Sequence, residues 1–194
     1  MPRPRTRDAE LFQRFVDAAT QIAIDEGVAA LTTRRASEAA GSNIAALNQL
    51  FGSRDGLVDA VMAVGFDRLA ERAHEHLDTQ PPGAARLHAF AATFREFADD
   101  ARGLVDVMLA RPLSVNGGVD LAGAWECRRM LTAAVGQISG SIEDIDSAAL
   151  GFAALVEGLA TSERRGLLGG SSAADQVWRV AIEAYLAGLA AVDE

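Results

Sequence analysis

The chain has 194 residues, 49% of them apolar, which is enough for a folded core and excludes a disordered chain. Its formal net charge of −9, with arginine as the only strong base, excludes wholesale coating of nucleic acid. A single cysteine, Cys127, rules out an intrachain disulfide. The N-terminus lacks the apolar core of a secretory leader, and no run approaches the ~20 apolar residues of a membrane span, so a cytoplasmic protein with no membrane partner is expected.

The charge is unevenly spread. Residues 1–56 hold seven arginines and seven acids; the remainder holds eleven arginines and twenty acids. Three of the first seven arginines, Arg3, Arg5 and Arg7, crowd the tail MPRPRTR. A neutral head with local basic points on an acidic body fits a protein that touches DNA at one end.

Apolar residues at helical spacing (Leu11, Phe12, Phe15, Ala18, Ala19, Ile22, Ala23) predict a first helix from about Asp8 to Glu26, stopped by Gly27. Leu31 stands as an isolated apolar plug. Thr32 or Thr33 caps a short second helix through about Ala40, and Gly41 breaks it. Ser42 or Asn43 caps a third helix to about Leu50. Ser53 caps a fourth, which runs to about Glu75 and has Asp55 near its positive end. DTQPPGAA is the clearest interior break. After it come helices from about Ala84 to Asp100, Arg102 to Leu113 and Val119 to Ile138. Asp144 or Asp146 opens a strongly apolar helix through SAALGFAALVEGLATSERRG. GGSS is a turn, and Ser172 with Asp175 has the spacing of a capping box for a last helix ending near Ala191. The expectation is an all-α chain of about nine helices with no strand.

The most informative stretch is AGSNIAALNQLFGSRDG, from Ala40 to Gly56. Two short helices separated by a glycine-containing turn are the mark of a helix-turn-helix. Ala36, Ala40, Leu47 and Leu50 are spaced to close a small core, which leaves Asn43, Ile44, Ala45, Asn48 and Gln49 on the outer face of the third helix. Side-chain amides carry a donor beside an acceptor, the pattern that reads the adenine edge, and Ile44 suits a thymine methyl. Small alanines permit close approach. Thr33 and Arg34 open the second helix, and Ser53 and Arg54 open the fourth, where free N–H groups favour phosphate. The tail arginines could enter a minor groove or trail across phosphate.

The order of a long helix, Gly27, the threonine pair, AAG and then FGSRDGL resembles the N-terminal domain of the TetR family of transcriptional repressors, over roughly Asp8 to Val61. Phe51, Gly52, Ser53, Arg54 and Asp55 match the family's passage into its fourth helix. Asn43 and Asn48 are similar to a branch with two asparagines in its recognition helix. Gln49 and Leu50 stand where the family often has Tyr and His, Ser42 replaces an aliphatic residue, and Ala36-Ser37 replaces an aliphatic-Ala pair. The resemblance implies a helix-turn-helix DNA-binding domain over residues 1–55 and a helical effector-binding and dimerisation domain over residues 56–194. It further implies a homodimer on a palindromic double-stranded operator, released by a small-molecule effector, with no cofactor and no catalysis.

The second half is less diagnostic. LVEGLATSERRG (Leu155 to Gly166) resembles a recurring stretch of the family's eighth helix, which usually has His where Glu157 stands. Small and apolar residues there (Leu150, Leu155, Gly158, Leu159) and in the last helix (Val177, Ala181, Ala184, Gly188) allow close packing, either as a four-helix interface between two copies or within one subunit. Phe90, Phe94, Phe97, Met108, Trp125 and Met130 are the candidate effector-pocket residues. Arg128, Arg129 and Glu157 are polar candidates. Two other classes compete. Glu71 and His74 have the spacing of a helical di-iron motif, but no second copy exists. An adaptor whose head has lost DNA binding would explain the missing Tyr and His.

Overall fold

The computed structural model describes residues 5–110, 121–138 and 144–191, which form helices and turns with no strand among them. The helices are α1 (Arg5–Glu26), α2 (Thr33–Ala39), α3 (Ile44–Phe51), α4 (Arg54–Leu77), α5 (Ala84–Asp100), α6 (Arg102–Leu109), α7 (Ala122–Gly136), α8 (Ile145–Arg164) and α9 (Ser171–Ala190). A 3₁₀ turn over Val28–Ala30 follows α1. Packing gathers them into two units. The first takes residues up to Arg68 and Ala101–Ala122; the second takes Leu69–Asp100 and Gly123–Glu194. Thus α6, which is remote from the head in sequence, is grouped with α1 to α3 and the first part of α4.

In the first unit Phe15, Ala19, Ile22 and Ala23 of the periodic α1 stripe are buried, Leu11 and Ala18 are half-buried and Phe12 is exposed; Val16, which the spacing did not single out, is buried as well. Gly27 ends the helix at φ 82°, its N–H bonded to Ala23 O at 3.0 Å. Leu31 is fully buried, the plug its isolation suggested. Gly103 of α6 lies directly on the end of α1: a Cβ added there would stand 1.8 Å from Ala23 O. Gly65 of α4 leaves room for Met108, whose Sδ would be 2.6 Å from an added Cβ. Two glycines thus remove side chains where α6 meets α1 and α4.

The second unit has a core that includes Leu87, Phe90, Phe94 and Phe97 of α5, Met130 of α7, Phe152 and Val156 of α8, and Trp178, Ile182 and Leu186 of α9. Phe152 and Tyr185 meet edge to face at 5.5 Å, and the Tyr185 hydroxyl donates to Ala148 O. Asp144, not Asp146, caps α8, accepting from Ser147 N–H at 2.8 Å. The capping box expected at Ser172 and Asp175 does not form. The helix begins at Ser171 after Gly170, which makes no side-chain cap, and the Asp175 carboxylate goes to Arg95 at 2.8 Å. The sixth helix ends at Leu109 rather than Leu113, and residues 111–113 lie outside the described ones. The seventh ends at Gly136, with Gln137 and Ile138 in a turn.

An ion-pair cluster ties α5 to α8 and α9. Arg95 donates through Nε and Nη2 to the two oxygens of Glu163 at 2.8 and 2.6 Å, and lies 5.3 Å from the centre of the Trp178 ring. Trp178 Nε1 donates to Glu163 Oε2 at 2.7 Å. The Arg95 contact, despite partial desolvation, holds the Glu163 carboxyl below its ordinary 4.5. Unfolding between the folded and unfolded pKa therefore takes up a proton, so this stabilisation is present above about pH 4.5 and is lost as pH falls through the folded value. Glu163→Gln is expected to melt below wild type at pH 7, with the difference shrinking toward pH 3. Thermal denaturation at both pH values checks this; a difference that persists unchanged at pH 3 refutes the linkage.

Candidate nucleic-acid interface

The recognition surface follows from three local devices. Thr32 caps α2, its hydroxyl oxygen accepting from Arg35 N–H at 3.2 Å. Gly41, at φ 61°, stops α2: its N–H reaches Glu38 O at 3.1 Å and Ser42 N–H reaches Ser37 O at 2.9 Å, the paired bonds of a Schellman end. Asn43 then caps α3, its Oδ1 accepting from Ala46 N–H at 2.9 Å. With its start thus set, α3 turns Leu47 into the core alongside Ala36 and Ala40 and leaves Leu50 half-buried. Asn43, Ile44, Ala45, Asn48 and Gln49 are all exposed, Ile44 to 44%. Ala46 is half-buried and belongs to the edge of this face.

The far end of α3 is held equally firmly. Phe51 stacks on Phe12 at 4.7 Å and meets Phe15 edge to face at 5.8 Å. Gly52, at φ 74°, closes the helix with its N–H on Asn48 O at 2.9 Å. Ser53 accepts from Gly56 N–H at 3.2 Å, so its hydroxyl acts in the turn. Gly56 is a residue the spacing did not single out: a Cβ there would stand 2.0 Å from Phe51 O. Only a glycine lets the first turn of α4 pass this close to the last carbonyls of α3.

The arginines of the head are placed differently from the sequence expectation. Arg54 does not stand free for phosphate. Its Nε donates to Leu31 O at 2.6 Å and its Nη2 to Val28 O at 3.0 Å, with Asp55 3.7 Å from Nη1. Val28 O also accepts from Leu31 N–H at 3.2 Å, so the guanidinium fork adds a second donor there and another at Leu31 O, just past the 3₁₀ turn. Arg34 pairs with Glu38 one turn on at 2.9 Å while remaining largely exposed, and Arg35 pairs with Glu26. Thr33 is half-buried at the start of α2. The tail residues 1–4, including Arg3, lie outside the described ones.

In the second unit, Phe90, Phe94, Phe97 and Met130 are buried. Trp125 is 47% exposed on α7 and, with the polar candidates Arg128 and Arg129, lines an open groove of about 400 Å³ that also includes Thr132, Ala133 and Asp146. Met108 is buried in the first unit, against α4. Arg128 pairs with Asp146 at 3.2 Å and Arg129 with Glu126. His74, which suggested a metal motif, has its Nε2 2.6 Å from Glu126 Oε1. Arg129 and His74 together hold the Glu126 carboxyl down at about 2, against the opposing effect of desolvation.

On α8 and α9 an apolar face is left uncovered. Leu150 is 49% exposed, Val177, Gly158, Ala184 and Gly188 are exposed, and Leu155 and Ala181 are half-buried. Leu159, expected on this face, is instead buried by the rest of the chain. Val180, which the spacing did not single out, is 50% exposed. Added methyls at Gly158 or Gly188 would meet nothing within 4 Å. By length and composition alone α8 is apolar enough to cross a membrane, a test that the core helix of a soluble protein also passes, and most of it is not buried among the described residues.

Known proteins resemble the head in sequence and the chain in fold. Residues 15–61 match the family of bacterial regulatory proteins, tetR family. No curated protein matches the chain. A protein with unknown function from Rhodococcus sp. RHA1 is 27% identical, with a TM-score of 0.72 over 93% of this chain and 95% of that one. BioQ of Mycobacterium smegmatis is 24% identical, with a TM-score of 0.68 over 93% and 98% of the two chains. The TetR family protein ActR of Streptomyces coelicolor, in complex with (S)-DNPA, is 20% identical, with a TM-score of 0.68 over 94% and 98%. Residues 15–61, which hold the helix-turn-helix of residues 33–51, match the tetR family of bacterial regulatory proteins, and the chain as a whole shares the all-α fold of these solved structures.

Proposed function

We propose that the chain is a homodimeric, ligand-responsive repressor that binds a palindromic operator through α3 and releases it when a small molecule binds the helical domain after residue 55. The observation that carries the reading is the outer face of α3, where polar amides and an isoleucine stand exposed on a helix capped at its start and anchored at its end. An exposed Ile44 between exposed amides has no use in a monomer's core and suits a groove floor.

The dimer reading rests on α8 and α9. A largely unburied apolar helix beside exposed Val177 and Val180 is the composition of half an interface. One recognition helix covers only a few base pairs, so useful specificity calls for two, about 34 Å apart on one face of the duplex. Wild type is expected to be a dimer by light scattering at micromolar concentration, and Leu150→Arg combined with Val180→Arg a folded monomer with much weaker operator binding. A monomeric wild type, or a double variant that remains dimeric, sinks the assignment of this face.

Two observations favour the adaptor as the second reading: Arg34, Arg35 and Arg54 already have intramolecular partners, and Gln49 and Leu50 replace residues that often hold phosphate. Selection of bound fragments from the source genome decides between the two. Recovery of discrete palindromic sites supports the regulator; no enrichment over random fragments leaves the adaptor. An effector that releases DNA must bind the DNA-bound protein more weakly by the same factor.

A further inference from the structure

The chemistry of the α3 face narrows what it can read. Residues 41–53 contain no charged side chain. The commonest specific contact to guanine, a cationic fork on O6 and N7, is therefore unavailable from the recognition helix. The Asn48 and Gln49 amides are exposed and make no intramolecular hydrogen bond with the described residues. Each can present its oxygen and its NH₂ together. Adenine offers the complement, a donor at N6 beside an acceptor at N7; guanine offers two acceptors, and an amide oxygen facing O6 is repelled.

Helical spacing orders these groups. Ile44 and Asn48 form one column along the helix, and Ala45 and Gln49 the next. Four residues span about 6 Å, close to two base-pair steps. The apolar Ile44 tip gains from a thymine C5-methyl and gains nothing from cytosine, which lacks it. Asn43 is different in kind from the other amides. Its Oδ1 is committed to the Ala46 N–H, so only its NH₂ is left to a base. It is both the cap that fixes where the helix starts and a donor-only reader.

We propose that the α3 face selects A·T pairs in each half-site: Asn48 and Gln49 read adenine edges, Ile44 covers a thymine methyl, and Asn43 donates to a base acceptor while capping the helix. This rests on the DNA-reading assignment of α3 made above.

The test begins with selection from a randomised duplex library by the full chain. Half-sites with fixed A·T pairs are expected. Duplexes carrying the selected site are then altered one atom group at a time. Replacing the contacted thymine by uracil removes the methyl, and replacing the contacted adenine by 7-deazaadenine removes N7. Each change at a contacted adenine should weaken wild type about 5- to 150-fold, with a smaller loss for the methyl. Ile44→Ala should be indifferent to uracil, and Asn48→Ala indifferent to 7-deazaadenine at one position per half-site. Asn43→Ser keeps a capping oxygen and should fold as wild type yet bind less tightly, whereas Asn43→Ala should also melt earlier. Half-sites fixed at G·C pairs, or penalties that persist unchanged in the variants, overturn the A·T code while leaving the regulator in place. Failure to select any duplex overturns the regulator reading and this code with it.

Discussion

Gly103→Ala is expected to lower the stability of the protein by about 1–3 kcal/mol, where a helix-interior Gly→Ala change ordinarily raises it by roughly 0.5–1 kcal/mol. The sign follows from geometry. An added Cβ would lie 1.8 Å from Ala23 O, 2.8 Å from Ala23 C and 3.2 Å from Ile24 O. All of these are backbone atoms at the end of α1, so no flexible side chain can yield. Either α6 moves away from α1 or the end of α1 distorts, and buried Leu104, Val105 and Val107 lose contact. Chemical denaturation measures the effect, and hydrogen exchange locates it in α1 and α6. A variant as stable as wild type, or more so, shows that α6 does not sit on α1 in this way.

Arg54→Ala is the second large effect. The sequence alone suggests a phosphate anchor whose loss spares stability and makes the salt dependence of DNA binding shallower. The structure puts the guanidinium on Val28 O and Leu31 O. Hydrogen bonds to a charged group contribute about 1.5–3 kcal/mol each when buried. The Arg54 side chain is 41% exposed, so water can replace part of this, and a total loss on the order of 2 kcal/mol is expected. Binding to all duplexes should weaken because the head is less populated in its folded form, with the salt slope little changed. Arg54→Lys should recover only part of the stability, since a single ammonium cannot reproduce the fork. Unchanged melting together with a slope shallower by about one unit would restore the phosphate assignment.

Much of this protein is legible in one dimension. Apolar spacing of 3–4 residues marked each long helix because a helix buries one stripe, and the stripe is written in the sequence. Gly27 and Gly41 marked their breaks because a positive φ is a local requirement that glycine meets. The exposed face of α3 was legible for the same reason: once Leu47 is turned inward, helical geometry sends Asn48 and Gln49 out.

What tertiary structure decided were the partners, since a side chain's partner depends on what the fold brings near it. Arg54 found two carbonyls more than twenty residues back, which no local pattern encodes. Asp175 had capping-box spacing, yet Arg95 on another helix took its carboxylate. Small apolar residues of α8 looked interchangeable in sequence; packing buried Leu159 and left Leu150 and, on α9, Val180 in solvent. Gly56 and Gly103 looked like ordinary helix glycines until the carbonyls of Phe51 and Ala23 were found where their side chains would have been. The sequence determined which helices form and which faces are apolar, because those depend on neighbours one turn away. The fold decided which charges pair and which surfaces stay open, because those depend on groups that only folding brings together.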